Sequence, residues 1–300
     1  MEKYSYLMEQ IYNTACVKNG FGNRILYDMC SRKDPEAQNT EALGDKIWLI
    51  GRSYAASPER RYTWKKDEKN NAEQKKLTTT GDGTETYFHY IAGQLQFPID
   101  DFKNQEYRFD FSDDDLQKLK SSIEAVLEFS NSVRDANKKY DEDYNKAQAD
   151  HMIHRNQLSF SSKFLHFHYP DSIFIFDDFS AHGGRYLFPK QKRKDTKVYI
   201  AASDISFTQD TPEAIINSAL PDREPSQKIL KDFHKRLREA VDLKEVDPEL
   251  VKCYVDHCFN AYAAGCLIRI CANGRPISCT MPRAADNLLL HTRIKIGGKD

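Results

Sequence analysis

The sequence predicts a mainly α-helical protein with few short strands. Three observations carry that prediction. Apolar residues recur at three-and-four spacing over several long stretches, acidic or hydroxyl caps stand ahead of those stretches, and only two short segments read as strands. With 40% hydrophobic against 30% charged residues over 300 positions, the chain can bury a normal core, which excludes wholesale disorder. No apolar run approaches the roughly eighteen residues of a spanning helix. The N-terminal residues also lack the uninterrupted apolar stretch of a secretory signal. The seven cysteines, five of them between residues 253 and 279, are therefore expected as reduced thiols in a cytoplasmic protein. With 44 basic and 45 acidic side chains the net charge is −1, which argues against non-specific wrapping of nucleic acid but permits a local basic face.

The elements follow in order. Tyr4, Leu7, Met8, Ile11, Tyr12 and Ala15 mark one buried helix face, and Gly20 and Gly22 are expected to end that helix. A second helix is expected from about Glu41, with Leu43, Ile47, Ile50 and Tyr54 in one stripe. It should stop near Ser57, because a residue before proline is pushed out of the helical region. Residues 65–86 carry almost nothing apolar and are expected as a flexible polar loop. Ser112, followed by Asp113, Asp114 and Asp115, opens a third helix with a hydroxyl cap and carboxylates in the positive first turn. Its apolar residues run from Leu116 through Leu127, and the helix should reach Lys139. Further helices are expected at about 212–219, 226–243 and 248–271, the last announced by Asp247 as cap and Pro248 at the first helical position. The strand candidates are 173–176 and 197–201.

One segment carries more chemistry than the rest. Residues 158–184 read LSFSSKFLHFHYPDSIFIFDDFSAHGG. A short helix fits Phe160 to His168, capped by Ser159 and stopped by Pro170. The apolar residues Ile173, Phe174, Ile175 and Phe176 then lead to Asp177 and Asp178, where the next helix would begin. A carboxylate there accepts backbone N–H bonds and stays ionised when partly buried. Facing a cleft, such a carboxylate can stabilise a developing sugar oxocarbenium ion. The plainer role for either aspartate is a helix cap alone.

His166, His168 and His182 with Asp177 and Asp178 have the side chains of a zinc, iron or manganese site, but residues two apart on a helix point away from each other. Cys253, Cys258, Cys266, Cys271 and Cys279 lack close metal-cluster spacing and read as small buried hydrophobes. Arg185, Lys190, Lys192, Arg193, Lys194 and Lys197, with Asp195 as the one acid, form either a phosphate clamp or a solvated charge run. Tyr186, Phe188 and Tyr199 are interleaved with them as aromatic partners for bases. Arg52, Arg60 and Arg61 are further candidates for phosphate contacts, and Trp48 and Trp64 for stacking.

The run from Phe160 through Lys163 to Pro170, followed by Ile175, Phe176 and Asp177, resembles the core of bacterial 8-oxoguanine-DNA-glycosylase-like proteins of the helix-hairpin-helix superfamily. Two flanking stretches are also similar to that group: residues 47–61, with Arg52, Arg60 and Arg61, and residues 280–287, with Arg283, Asp286 and Asn287. The resemblance implies a single two-lobed helical catalytic domain over 1–300, with its motif region at about 150–200. It implies base flipping and cleavage of an N-glycosidic bond in duplex DNA that carries a modified base, by a monomer that needs no metal or other cofactor. Lys163 falls on the family's lysine and Asp177 on its aspartate, with Asp178 an alternative for the latter. The phosphate contacts are expected from Arg52, Arg60, Arg61, Arg185, Lys190, Lys192, Arg193 and Lys194, and the base pocket from His166, His168, Phe176 and His182. The chain departs from the family in lacking a glycine-bearing hairpin ahead of Lys163, where it reads RNQLSFSS, and in a short spacing from Lys163 to Asp177. Both departures favour water over Lys163 as the nucleophile. A metal-dependent nuclease and a non-catalytic module for modified DNA are the alternative functions.

Overall fold

The computed structural model describes residues 4–16, 21–31, 39–54, 56, 58, 61–66, 72–77, 84–95, 105–144, 152–192, 196–200, 206–219 and 226–296. The protein is mainly helical, with two small antiparallel sheets. None of the described helices is long and apolar enough to cross a membrane. The chain divides into two compact units: residues 1–20, 102–124 and 169–300 in the first, and residues 21–101 and 125–168 in the second.

The first unit is built around α10 (Pro248–Ala272), which follows α8 (Thr211–Ala219) and α9 (Ser226–Ala240) along the chain and precedes α11 (Met281–Leu290). Asp247 caps α10 by accepting the Glu249 amide at 3.0 Å, Pro248 takes the first turn, and Asn273 ends the helix in the left-handed region at φ 48°. Its centre is buried on all sides, as expected of a helix that is apolar all round. Cys258, Cys266 and Cys271 fill it as free buried thiols, whereas Cys253 is exposed, against the expectation that all five cysteines there are core. The Phe109 ring lies where a Cβ on Gly265 would sit, 2.3 Å away, so only glycine admits that ring.

Helix α5 (Asp113–Tyr144) begins in the first unit as the sequence predicts, with Ser112 Oγ accepting the Asp115 amide at 3.4 Å. Asp115 does more than favour the helix end. Fully buried, it accepts the Arg108 amide at 2.9 Å and the Asp110 amide at 3.4 Å, and receives the Tyr262 hydroxyl of α10. That network holds Phe109 and Phe111 at φ 55° and 58°, a region that bulky side chains rarely occupy. Helix α1 (Ser5–Ala15) packs on α10 and α11 in the same unit.

The apolar run 173–176 is not a strand. The Phe174 carbonyl accepts the Tyr254 hydroxyl at 3.1 Å and the Ile175 carbonyl accepts His257 Nε2 at 2.6 Å, so side chains of α10 occupy the groups a neighbouring strand would have used. The second strand candidate does form, as β4 (Thr196–Ile200), in the sheet order β5-β4-β6 with β5 (Ser206–Thr208) and β6 (Thr292–Ile296).

In the second unit, α2 (Phe21–Ser31) was not expected, and Gly22 lies inside it rather than ending α1, which stops at Cys16. Helix α3 (Thr40–Ser53) follows the expected stripe, with Asn39 as cap and Leu43, Ile47 and Ile50 buried. The loop expected at 65–86 is replaced in part by regular structure: β1 (Arg61–Lys66) pairs in register with β2 (Ala72–Leu77), and α4 (Thr84–Gln94) follows. Antiparallel pairing is made by backbone groups, so a hairpin can form from residues too polar to show strand periodicity. The short β3 (Met152–Ile153) completes that sheet in the order β2-β1-β3. Helix α6 (Leu158–His168) lies deep in this unit, with Phe129 of α5 stacked on Phe164 at 5.4 Å.

Candidate functional site

Helix α7 (Asp178–Leu187) begins as the sequence predicts, and Asp177 rather than Asp178 is its cap. The Asp177 backbone is extended, its carboxylate accepts the Phe179 amide at 3.0 Å, and its carbonyl receives the Ala181 amide at 2.8 Å. Asp177 stays partly exposed, and Asp178 and Phe179 of the first turn are exposed, Phe179 to 67%. The segment leading into Asp177 is anchored by Tyr254 and His257 of α10. The glycine pair 183–184 lets α7 settle among its neighbours. A Cβ on Gly183 would stand 1.9 Å from the Leu289 carbonyl oxygen, and one on Gly184 would stand 2.9 Å from Asn260.

His257 is the residue that sequence reasoning missed. Its ring is buried and Nε2 donates to the Ile175 carbonyl, which leaves Nδ1 as an acceptor with no hydrogen-bond partner among the described residues. Burial pushes the imidazole down to about 4, against the opposing pull of that carbonyl and of Asp177, so the ring is neutral at pH 7. Nothing in the local pattern separates His257 from its apolar helix neighbours; its role depends on a carbonyl eighty-two positions away in the chain. Phe176 lies edge-on to this ring at 5.1 Å. His182 is exposed and its Nδ1 donates to the Asp178 carbonyl at 2.6 Å.

Beside α7, the same unit holds a cavity of about 540 Å³ bounded by α7, α9, α10 and residues 188–190. Arg185 reaches it from α7, exposed and without a hydrogen bond or ion pair among the described residues. Lys190 of the expected phosphate clamp is tied to Asp256 at 2.7 Å, and Lys192 is tied to Asp210 and Glu213, each at 2.6 Å. Arg193 and Lys194 lie outside the described residues. Asp256 also accepts His234 at 2.7 Å and Arg238 at 2.9 Å. Burial alone would raise this carboxyl, but the hydrogen bonds from His234, Lys190 and Arg238, with the charge of Arg238, outweigh it and hold it well below the usual carboxylate range. The Cys253 thiol at the cavity edge is pushed up by burial, which Arg185 partly offsets.

Lys163 belongs to the second unit and does not snorkel to solvent. It is 4% exposed, its Nζ donates to Ser159 Oγ at 3.0 Å, and it lies 5.6 Å from the centre of the Tyr54 ring. His166 is buried in the same helix, with Nε2 2.6 Å from the Tyr27 hydroxyl. His168 donates Nδ1 to the Phe164 carbonyl at 2.8 Å, and burial pushes its ring down to about 4. The candidate residues thus fall in two groups: Phe176, Asp177, Asp178, His182, Arg185, Lys190 and Lys192 in the first unit, and Arg52, Lys163, His166 and His168 in the second. Arg52 is exposed in the last turn of α3; the Arg60 residue and the Arg61 side chain lie outside the described part. Trp48 is 45% exposed on α3, open to a stacking partner, and the Trp64 side chain is again outside the described part. Among the described residues, no three His, Cys, Asp or Glu side chains come together as a metal-binding set. No protein-family model, curated protein or solved structure matches the chain.

Proposed function

We propose that the chain is a DNA glycosylase that flips a modified base out of duplex DNA and hydrolyses its N-glycosidic bond. The observation that carries this reading is the carboxylate of Asp177, fixed by the Phe179 amide at the start of α7 yet partly open to solvent. As the base departs with the bonding electron pair, positive charge develops at the sugar C1′ and ring oxygen. A fixed carboxylate lowers the energy of that charge and can accept a proton from the water that attacks C1′. Lys163, the alternative nucleophile, forms no bond to the sugar in this mechanism. Its amine is already engaged by Ser159 inside a buried helix, which supports water as the nucleophile and an intact abasic strand as the product.

The test is single-turnover incubation with normal, oxidised and phage-type modified duplexes, followed by assay of alkali-labile abasic sites. Cleavage of one modified duplex by the wild type, lost in Asp177→Asn, supports the reading. Tight binding of modified DNA with no abasic product replaces it with a non-catalytic recognition module. If Asp178→Asn abolishes excision while Asp177→Asn leaves it intact, the exposed first-turn carboxylate holds the role instead.

A further inference from the structure

We propose that the cavity between α7, α9 and α10 binds a single nucleotide, with its phosphate at Arg185 and Lys231 and a base N–H on His257 Nδ1. The inference is independent of the glycosylase reading, because it uses neither the chemistry of Asp177 nor any residue of the second unit.

Three acids line the cavity, and each already has a cation: Glu213 has Lys192 at 2.6 Å, Glu249 has Lys252 at 3.3 Å, and Asp256 has Lys190 at 2.7 Å as well as Arg238. Arg185 and Lys231 also line it, both exposed and neither with a carboxylate partner among the described residues. The balance at the wall is therefore positive, which selects an anion, and a guanidinium favours one with two or more oxygens.

The wall also holds a buried group whose hydrogen-bonding capacity is unfilled among the described residues. His257 lines the cavity, is 3% exposed, and donates Nε2 to the Ile175 carbonyl, so its Nδ1 carries a lone pair with no hydrogen-bond partner among the described residues. A buried polar atom left without a hydrogen bond destabilises the fold, and a ligand N–H or O–H would remove that cost. The remaining wall includes Phe188, Leu230 and Phe259, an apolar lining against which a planar ring can pack. A volume of about 540 Å³ admits a ring, a sugar and one phosphate. An anion attached to a flat heterocycle that carries an N–H donor is the chemistry of a nucleoside monophosphate. It has two sources, a free mononucleotide or one nucleotide of a DNA strand.

The experiment titrates the full chain with dGMP, deoxyguanosine and inorganic phosphate by calorimetry, in wild type and in the double variant Arg185→Gln, Lys231→Gln. The monophosphate should bind about tenfold or more tightly than either fragment, and the double variant should weaken it by about tenfold per lost charge-assisted contact. Because His257 is buried and its replacement endangers folding, its part is read in the wild type: the ¹⁵N resonance of Nδ1 should move upfield as it accepts a hydrogen bond. A 5′-phosphorylated oligonucleotide that displaces dGMP assigns the site to a DNA strand, and failure to displace it assigns the site to a free mononucleotide. Inorganic phosphate binding as tightly as dGMP, an unaffected double variant, or a stationary His257 resonance would each overturn the proposal.

Discussion

Helices α6 and α7 are of nearly equal length, 11 and 10 residues, yet they hold a charged side chain in opposite ways. Helix α6 is buried on nearly every face, from Leu158 and Phe160 through Phe167, and Lys163 shares that burial. A charge so placed must be matched from within, and Ser159 one turn back and the Tyr54 ring engage it. Helix α7 keeps its charge at the end. Asp177 accepts the amide of Phe179 and stays partly exposed, and Asp178, His182 and Arg185 are exposed along the helix. A side chain held by the backbone at a helix start keeps capacity for a substrate. One enclosed in a packed helix is occupied with holding its own place. The charge is thus open to solvent on α7 and enclosed on α6.

The largest effect that would break this contrast is on rate. Asp177→Asn keeps a capping acceptor, so stability should change by no more than about 1 kcal/mol, whereas excision should fall by roughly two to four orders of magnitude. Near-normal excision by that variant would remove the distinction between the two helices. Next comes Gly183→Ala. Its Cβ would be driven against the Leu289 backbone oxygen, which cannot rotate away as a side chain can, so denaturant unfolding should show a loss of about 3 kcal/mol. An unchanged midpoint would mean that α7 is free to shift on α11.

Acidification sharpens the comparison, since each region holds one depressed histidine: His168 on α6 and His257 behind α7, both pushed down to about 4 by burial. Unfolded, each would titrate near 6.5, so between about 6.5 and 4 the unfolded chain binds protons that the folded chain refuses. Stability is then complete above about 6.5 and falls as the pH drops towards 4, by about 1.4 kcal/mol per pH unit for each ring in the middle of that window. Asp256, also depressed, adds its loss only below the ordinary carboxylate range. Urea unfolding from pH 7 to 5 should show the slope, and His168→Phe should remove about half of it. A flat profile would show that neither ring is held neutral.

The smallest expected effect is that of Lys163→Met. It conserves shape and removes a buried charge, so stability should move by less than about 1.5 kcal/mol in either direction. Excision should fall only moderately, and borohydride should trap no protein–DNA adduct in wild type. A strong adduct lost in Lys163→Gln would make α6 the reactive helix and invert the comparison.

Local signals in the sequence determined much of the frame. The helix starts at Asp113, Pro248 and Asp178 were legible because capping uses residues within three positions of one another. The long helices were legible because a buried face repeats along the chain itself. Tertiary structure decided the rest. Only packing shows that 173–176 gives its carbonyls to Tyr254 and His257 instead of to a strand, that Asp115 clasps a backbone loop, and that Lys163 is enclosed. It also decided which cations of the basic run are spent, since Lys190 and Lys192 meet carboxylates from α10, α8 and the residue before α8, while Arg185 meets none among the described residues. The physical reason is the range of the interactions. A cap or an amphipathic stripe is written within a few residues, whereas a buried acceptor such as His257 Nδ1 acquires its meaning from groups that only folding brings beside it.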